Sequence, residues 1–180
     1  MTDQQTAPAQ QAGDVEKLLF GGSTASVKWT HTPGTEYRLT VTDKSTKQRR
    51  EFAKKGETIG ELSTWPDGTP RMQILLTGSC EVRDAKGKFV PCKDLALEMD
   101  GRTDDGTRVL YISSRSKDSP GSTLDALLGA MRAANASVVE IGCVITMKHV
   151  SGYGSVDDPR VHAATYESPK PEDAFDKAKG

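Results

Sequence analysis

Three cysteines, Cys80, Cys92 and Cys143, are all that the 180 residues contain, and no two of them stand as C-x-x-C. Disulfide frameworks and zinc knuckles draw on paired, closely spaced ligands. His31, His149 and His162 are scattered, so the expectation is three reduced thiols, no metal and no cofactor. Aromatic residues are scarce at 6%. No apolar run approaches the roughly 18 residues of a membrane span. The opening Met1-Thr2-Asp3-Gln4-Gln5 lacks the basic and apolar stretches of a secretory signal. These absences predict a soluble, cytoplasmic protein.

Catalytic motifs are missing as well. Gly101 to Thr107 has the glycine spacing of a phosphate-binding loop but no lysine to reach a phosphate. The acidic turn around Asp100, Asp104 and Asp105 is not an EF-hand, since Tyr111 stands where the bidentate glutamate belongs. That leaves a solvated hairpin as its plainer reading. Gly152-Tyr153-Gly154 follows a strand pattern with no helix behind it, unlike a dinucleotide site. Neither G-x-S-x-G nor H-E-x-x-H occurs. The chain is expected not to be an enzyme.

What is present is alternation. Residues 1–16 read as a disordered leader, 168–180 as a flexible tail, and 17–167 as one domain whose apolar residues follow a period of two, the mark of half-buried strands. Tyr37, Leu39 and Val41 alternate with polar residues, as do Met72, Ile74 and Leu76; further strands are expected at 108–113, 141–150 and 161–166. One segment breaks the period: Leu124, Leu127, Leu128 and Met131 recur at helical spacing, with Ser122 and Asp125 as a capping pair and Asn135 as the stop. Three long strands, one helix and two more strands predict an all-β fold with one helix, the OB-fold: a five-stranded Greek-key barrel with its helix between strands 3 and 4. A β-sandwich with an incidental helix is the alternative.

The formal net charge is −1, yet the charges are segregated. Between Lys28 and Lys55 stand eight cations (Lys28, Arg38, Lys44, Lys47, Arg49, Arg50, Lys54 and Lys55) against three carboxylates. Trp29, Tyr37 and Phe52 are interleaved with them, and Trp65 follows in the turn-rich Ser63 to Pro70. Cations that track a phosphate backbone, mixed with rings on which bases stack, are the ingredients of single-stranded nucleic-acid binding. Trp29 and Tyr37 are in phase with apolar neighbours, which favours burial. Trp65 either caps the barrel mouth or meets a base. Tyr111 is out of phase with Leu110 and Ile112, and Arg71 and Arg108 begin strands that could line one groove. The same small barrel is open to a second role, a protein-interaction or virion-associated module that binds no nucleic acid.

Thr64-Trp65-Pro66-Asp67-Gly68-Thr69-Pro70-Arg71-Met72-Gln73, Asp104-Asp105-Gly106-Thr107-Arg108-Val109-Leu110-Tyr111 and the closing Ala163 to Tyr166 resemble segments of actinobacteriophage single-stranded-DNA-binding proteins of OB type. The resemblance spans about residues 26–167. It implies a non-catalytic protein that coats single-stranded DNA in phage replication, recombination or repair, in the host cytoplasm. It also singles out Trp65, Arg71, Arg108 and Tyr111. Replication or recombination proteins are the partners that a docking peptide at Glu172-Asp173-Ala174-Phe175 would serve. Lys177 and Lys179 behind it depart from the strongly acidic tails of such proteins, and a plain disordered end is the simpler reading. A homo-oligomer stays open.

Overall fold

The computed structural model describes residues 26–28, 33–51, 58–92, 104–113, 120–155 and 157–170. The leader through residue 25, the tail from residue 171, Trp29, Phe52, Lys54 and Lys55 lie outside the described residues. The elements run β1 (Glu36–Gln48), β2 (Met72–Arg83), β3 (Phe89–Pro91), β4 (Thr107–Ile112), α1 (Thr123–Ala133), β5 (Val144–Ser151) and β6 (Val161–Glu167). The fold is mostly β with one helix. Its antiparallel sheet has the order β3-β2-β1-β5-β6, and β4 pairs with β2 along the edge that β3 also uses.

Two features differ from a closed five-stranded barrel. The sheet has six strands and is open. The additional strand, β3, returns beside the last residues of β2, where Arg83 faces Phe89. The far edge of β4, which closure would require, is occupied in another way. Val27 donates its N–H to the Val109 carbonyl at 3.0 Å. The Thr123 hydroxyl accepts from the Ser113 N–H at 3.0 Å. Backbone groups that β6 would have satisfied are thus met by the chain before β1 and by the start of α1.

The helix forms where capping chemistry and spacing direct it. Ser122 accepts from the Asp125 N–H at 3.2 Å, and Asp125 accepts from the Gly121 N–H at 2.8 Å. At the other end Asn135 takes φ 54° and the Ala136 N–H returns to the Met131 carbonyl at 2.8 Å, a Schellman closure that a left-handed asparagine permits. The buried stripe is Thr123, Leu127, Ala130 and Met131. It is rotated from the leucine stripe that spacing predicts, and Leu128 stays 40% exposed, because the helix turns its Thr123 edge toward β4. Leu39, Val41, Leu76, Leu110, Ile145 and Met147 complete the core from the sheet.

One irregularity controls the placement of charge. Along β1 and β2, Leu39 faces Cys80 and Val41 faces Gly78, all inward; Asp43 then faces Thr77, so Thr42 is an extra residue, a β-bulge. Without it, Lys47 and Arg49 would keep the phase of Leu39 and Val41 and point into the core. The bulge moves them by one residue, which in a strand means the opposite face.

Tyr37 bridges the core and the segment ahead of β1. Its hydroxyl donates to the Lys28 carbonyl at 2.6 Å. Burial first, then the neighbouring Cys92 and Cys80, pushes its phenol up to about 12. The folded state therefore favours the neutral phenol over an unfolded value of about 10. Its contribution is complete below that value and disappears as pH rises through the folded one. Thermal stability is expected to fall more steeply above pH 10 in the wild type than in Tyr37→Phe, read from melting temperature against pH. Identical slopes would place the tyrosine in solvent.

Candidate nucleic-acid interface

The register runs to the end of β1. Lys47 faces Gln73, Ser45 faces Leu75, and Leu75 in turn faces Tyr111 on β4. The paired register ends at Gln48 with Met72. Beyond it Arg49 still donates its N–H to the Arg71 carbonyl at 2.7 Å, while its own carbonyl accepts from the Ser63 N–H at 2.8 Å and the Arg71 N–H donates to the Ser63 carbonyl at 3.0 Å. Directly paired residues project to the same face of a sheet. Two successive rows on the outer face therefore carry Lys47 with Gln73, and Ser45 with Leu75 and Tyr111; Arg49 and Arg71 stand next along their segments. Four residues separate Arg49 from Ser45, about 13 Å along the strand.

An aromatic ring stands at each end. Trp65 is half-buried in the 49–71 connection, with the Arg71 guanidinium over its ring at 4.5 Å. Asp67 builds the turn that holds it, accepting from the Thr69 N–H at 3.0 Å. At the other end Tyr111 is 39% exposed, and the Lys47 ammonium lies 5.5 Å from its ring, close enough for a cation–π contact. Beside Tyr111 is a cleft of about 290 Å³ lined by Lys47, Gln48, Arg49, Arg50, Gln73 and Tyr111. Glu51 follows Arg50 in the chain, and the Arg71 Nη1 lies 4.0 Å from its carboxylate. The Ser63 hydroxyl donates to it, and Ser63 first, then Arg49 and Arg71, holds it below the usual carboxylate range.

Tyr111 also borders a second cleft, of about 330 Å³, between β4, the start of α1 and the turn that joins β5 to β6. Arg160, His162, Ser113 and Ser155 line it. The turn is anchored from below by His149, which is fully buried and donates from Nε2 to the carbonyls of Ser151 (3.0 Å) and Gly152 (2.6 Å). Arg160 and His162 carry no motif, and only the fold brings them beside Tyr111.

The structure therefore brings together Lys47, Arg49, Arg50, Trp65, Arg71 and Tyr111 from the residues singled out in sequence. Arg50 lines the cleft while its guanidinium donates to the Gly60 carbonyl at 2.9 Å. Others are placed elsewhere. Lys44 shares its phase with buried Leu76, and its ammonium donates to the Val139 carbonyl at 2.5 Å, so it fastens the segment after α1. Lys28 is exposed on the strip beside β4. Arg108 is a correction: it is 5% exposed and bidentate to Asp104, at 2.7 Å to Oδ1 and 2.6 Å to Oδ2. An even position on β4 belongs to the inner face, beside Leu110, and a guanidinium buried there cannot line the outer groove. Asp104 is correspondingly consumed inside the fold.

A further ring, Phe89, and one cation, Arg83, escaped sequence reasoning; Arg38, counted in the basic block, joins them. The guanidiniums of Arg38 and Arg83 lie over Phe89 at 4.4 and 4.9 Å. Glu81 and Glu36 pair with those arginines at 2.6 and 3.1 Å, so this stack is neutralised and stands apart from the cationic rows. Among the described residues no group of three or more His, Cys, Asp or Glu is placed to hold a metal ion. No described helix is long and apolar enough to cross a membrane. No protein-family model, curated protein or solved structure matches this chain.

Proposed function

We propose that the chain is a non-catalytic single-stranded-DNA-binding protein of OB type, acting in phage DNA replication, recombination or repair. The observation that carries this reading is the run of outer-face rows, with cations between two partly exposed rings. A phosphate backbone laid along Arg49, Lys47 and Arg71 leaves bases free to stack at Trp65 and Tyr111. The path β4-β2-β1-β5-β6, with α1 between β4 and β5, supports the OB reading, because it is the strand succession of that partly open barrel once β3 is set aside. The three short segments that resemble those of actinobacteriophage proteins support the same assignment.

Oligo-dT titration followed by tryptophan fluorescence tests it. Binding is expected to quench Trp65, a quench that Trp65→Phe removes, and to exceed binding to duplex of equal length. Lys47→Ala/Arg49→Ala/Arg50→Ala should lower the slope of log K against log salt by about 2. Tyr111→Ala should weaken binding by roughly 5- to 150-fold, the range for one lost stacking partner. No binding to oligo-dT at low salt would end this reading.

One observation favours a second reading, a protein-docking module. Ile59, Leu62 and Met72, at the connection between β1 and β2, are 50%, 52% and 54% exposed. That reading predicts a discrete complex or oligomer whose mass, by light scattering, is unchanged by oligonucleotide.

A further inference from the structure

We propose that Cys80 and Cys92 form an oxidisable dithiol, a site at which a peroxide-class oxidant installs a reversible disulfide. Their Sγ atoms lie 3.4 Å apart. Both are buried, at 2% and 6% exposure. Cys80 is the residue at which β2 changes partners: its N–H donates to the Gly106 carbonyl at 3.0 Å, while its carbonyl accepts from the Cys92 N–H at 2.9 Å. The backbones that carry the two thiols are thus fixed against each other by the ladder. Facing residues of an antiparallel pair have Cα atoms about 4.5–5.5 Å apart, inside the range of about 4.4–6.8 Å that a disulfide spans. Closing the bond asks for side-chain rotation and no movement of the strands. Cys143, just ahead of β5, has Tyr166 beside its thiol instead.

The two sulfurs are not equivalent. The contact between them, at 3.4 Å, and burial push the Cys80 thiol up. Cys92 is lowered, first by its pairing with Cys80 and further by the Arg108 guanidinium. Cys92 is therefore the attacking thiolate, since the thiolate is the nucleophile. It attacks one peroxide oxygen; an S–O bond forms, the O–O bond breaks, and hydroxide leaves and takes up the proton that Cys92 released, as water. Cys80 then attacks the Cys92 sulfenic acid. The S–S bond forms, the S–O bond breaks, and the hydroxyl leaves with the Cys80 proton as a second water. In total, two thiols and one peroxide become one disulfide and two waters. The dithiol lies on the inner face, opposite the cationic rows, and the inference stands whether or not the protein binds DNA.

The full chain treated with hydrogen peroxide, alkylated and digested with trypsin tests it by mass spectrometry. The expected product links Met72–Arg83 to Phe89–Lys93 with the loss of two hydrogens, is released by dithiothreitol, and leaves Cys143 as the thiol that alkylates. In Cys80→Ser the link is expected to vanish and Cys92 to stop at a sulfenic acid that dimedone traps. Alkylation of all three cysteines in peroxide-treated wild type would overturn the proposal, as would a link that includes Cys143.

Discussion

Arg108→Met is expected to reduce folding stability by about 3–5 kcal/mol while leaving the salt slope of oligo-dT binding unchanged. The side chains of Arg108 and Asp104 are only 6% and 1% exposed. Both Nη atoms are bonded to the two carboxylate oxygens, and Nη1 also donates to the Thr107 carbonyl at 2.8 Å. Removing the cation strands a buried carboxylate, whose desolvation the methionine cannot offset. Removing both partners in Arg108→Met/Asp104→Leu should recover part of the loss, because a paired ion costs its own desolvation. Recovery stays partial, since Asp104 also accepts from the Gly106 N–H at 3.0 Å. Urea unfolding of the two singles and the double gives the coupling directly. A phosphate-binding arginine would behave in the opposite way, with little effect on stability and a salt slope smaller by about 0.7 on a single strand. That pair of outcomes would return Arg108 to the interface.

Gly78→Ala should cost more than about 4 kcal/mol, the range reserved for severe packing faults. A Cβ at this position would stand 1.9 Å from the Thr40 carbonyl oxygen and 3.1 Å from the Val41 Cα. These are backbone atoms of a central strand and cannot rotate away. Gly78 faces Val41 immediately before the bulge at Thr42, so the glycine is what allows β1 to approach there and change phase. The variant is expected to lose DNA binding together with its cooperative urea transition. Should it fold with wild-type stability, the close approach of β1 to β2 would be wrong, and so would the outward phase of Lys47 and Arg49. Gly129→Ala is the control: nothing lies within 4 Å of a Cβ there, and on an exposed helix face alanine is expected to add up to about 1 kcal/mol.

Much of the fold was legible residue by residue. Alternation located the long strands, because a strand with one buried face must repeat every two residues. The cap at Ser122 and the stop at Asn135 located the helix to within a residue. The additional strand β3 was not legible: three residues, Phe89 to Pro91, are too few to display a period. The rotation of the helix stripe was also hidden, since Leu128 and Thr123 exchange the roles their hydropathy suggests only once Thr123 is committed to the edge of β4. Within the candidate site, composition revealed the cationic block and the ring at Trp65. It could not tell Lys47, on the outer face, from Lys44, which is bonded to the Val139 carbonyl, because charge density has no direction.

Arg71 and Arg108 show the same division. Each precedes or begins a strand and is followed by alternating residues, and local sequence treats them alike. Their places in the fold separate them: Arg71 stands beside Arg49 next to the outer rows, and Arg108 turns inward to a carboxylate. By itself the sequence determined a β-rich body with one helix, the position of each long strand and the concentration of positive charge before residue 56. Only the tertiary structure decided which cations face outward, that Arg160 and His162 join Tyr111, and that Cys80 meets Cys92. The physical reason is that facing is a property of register. A single extra residue, Thr42, reverses every side chain beyond it, and the approach that admits it depends on a glycine 36 positions later in the chain.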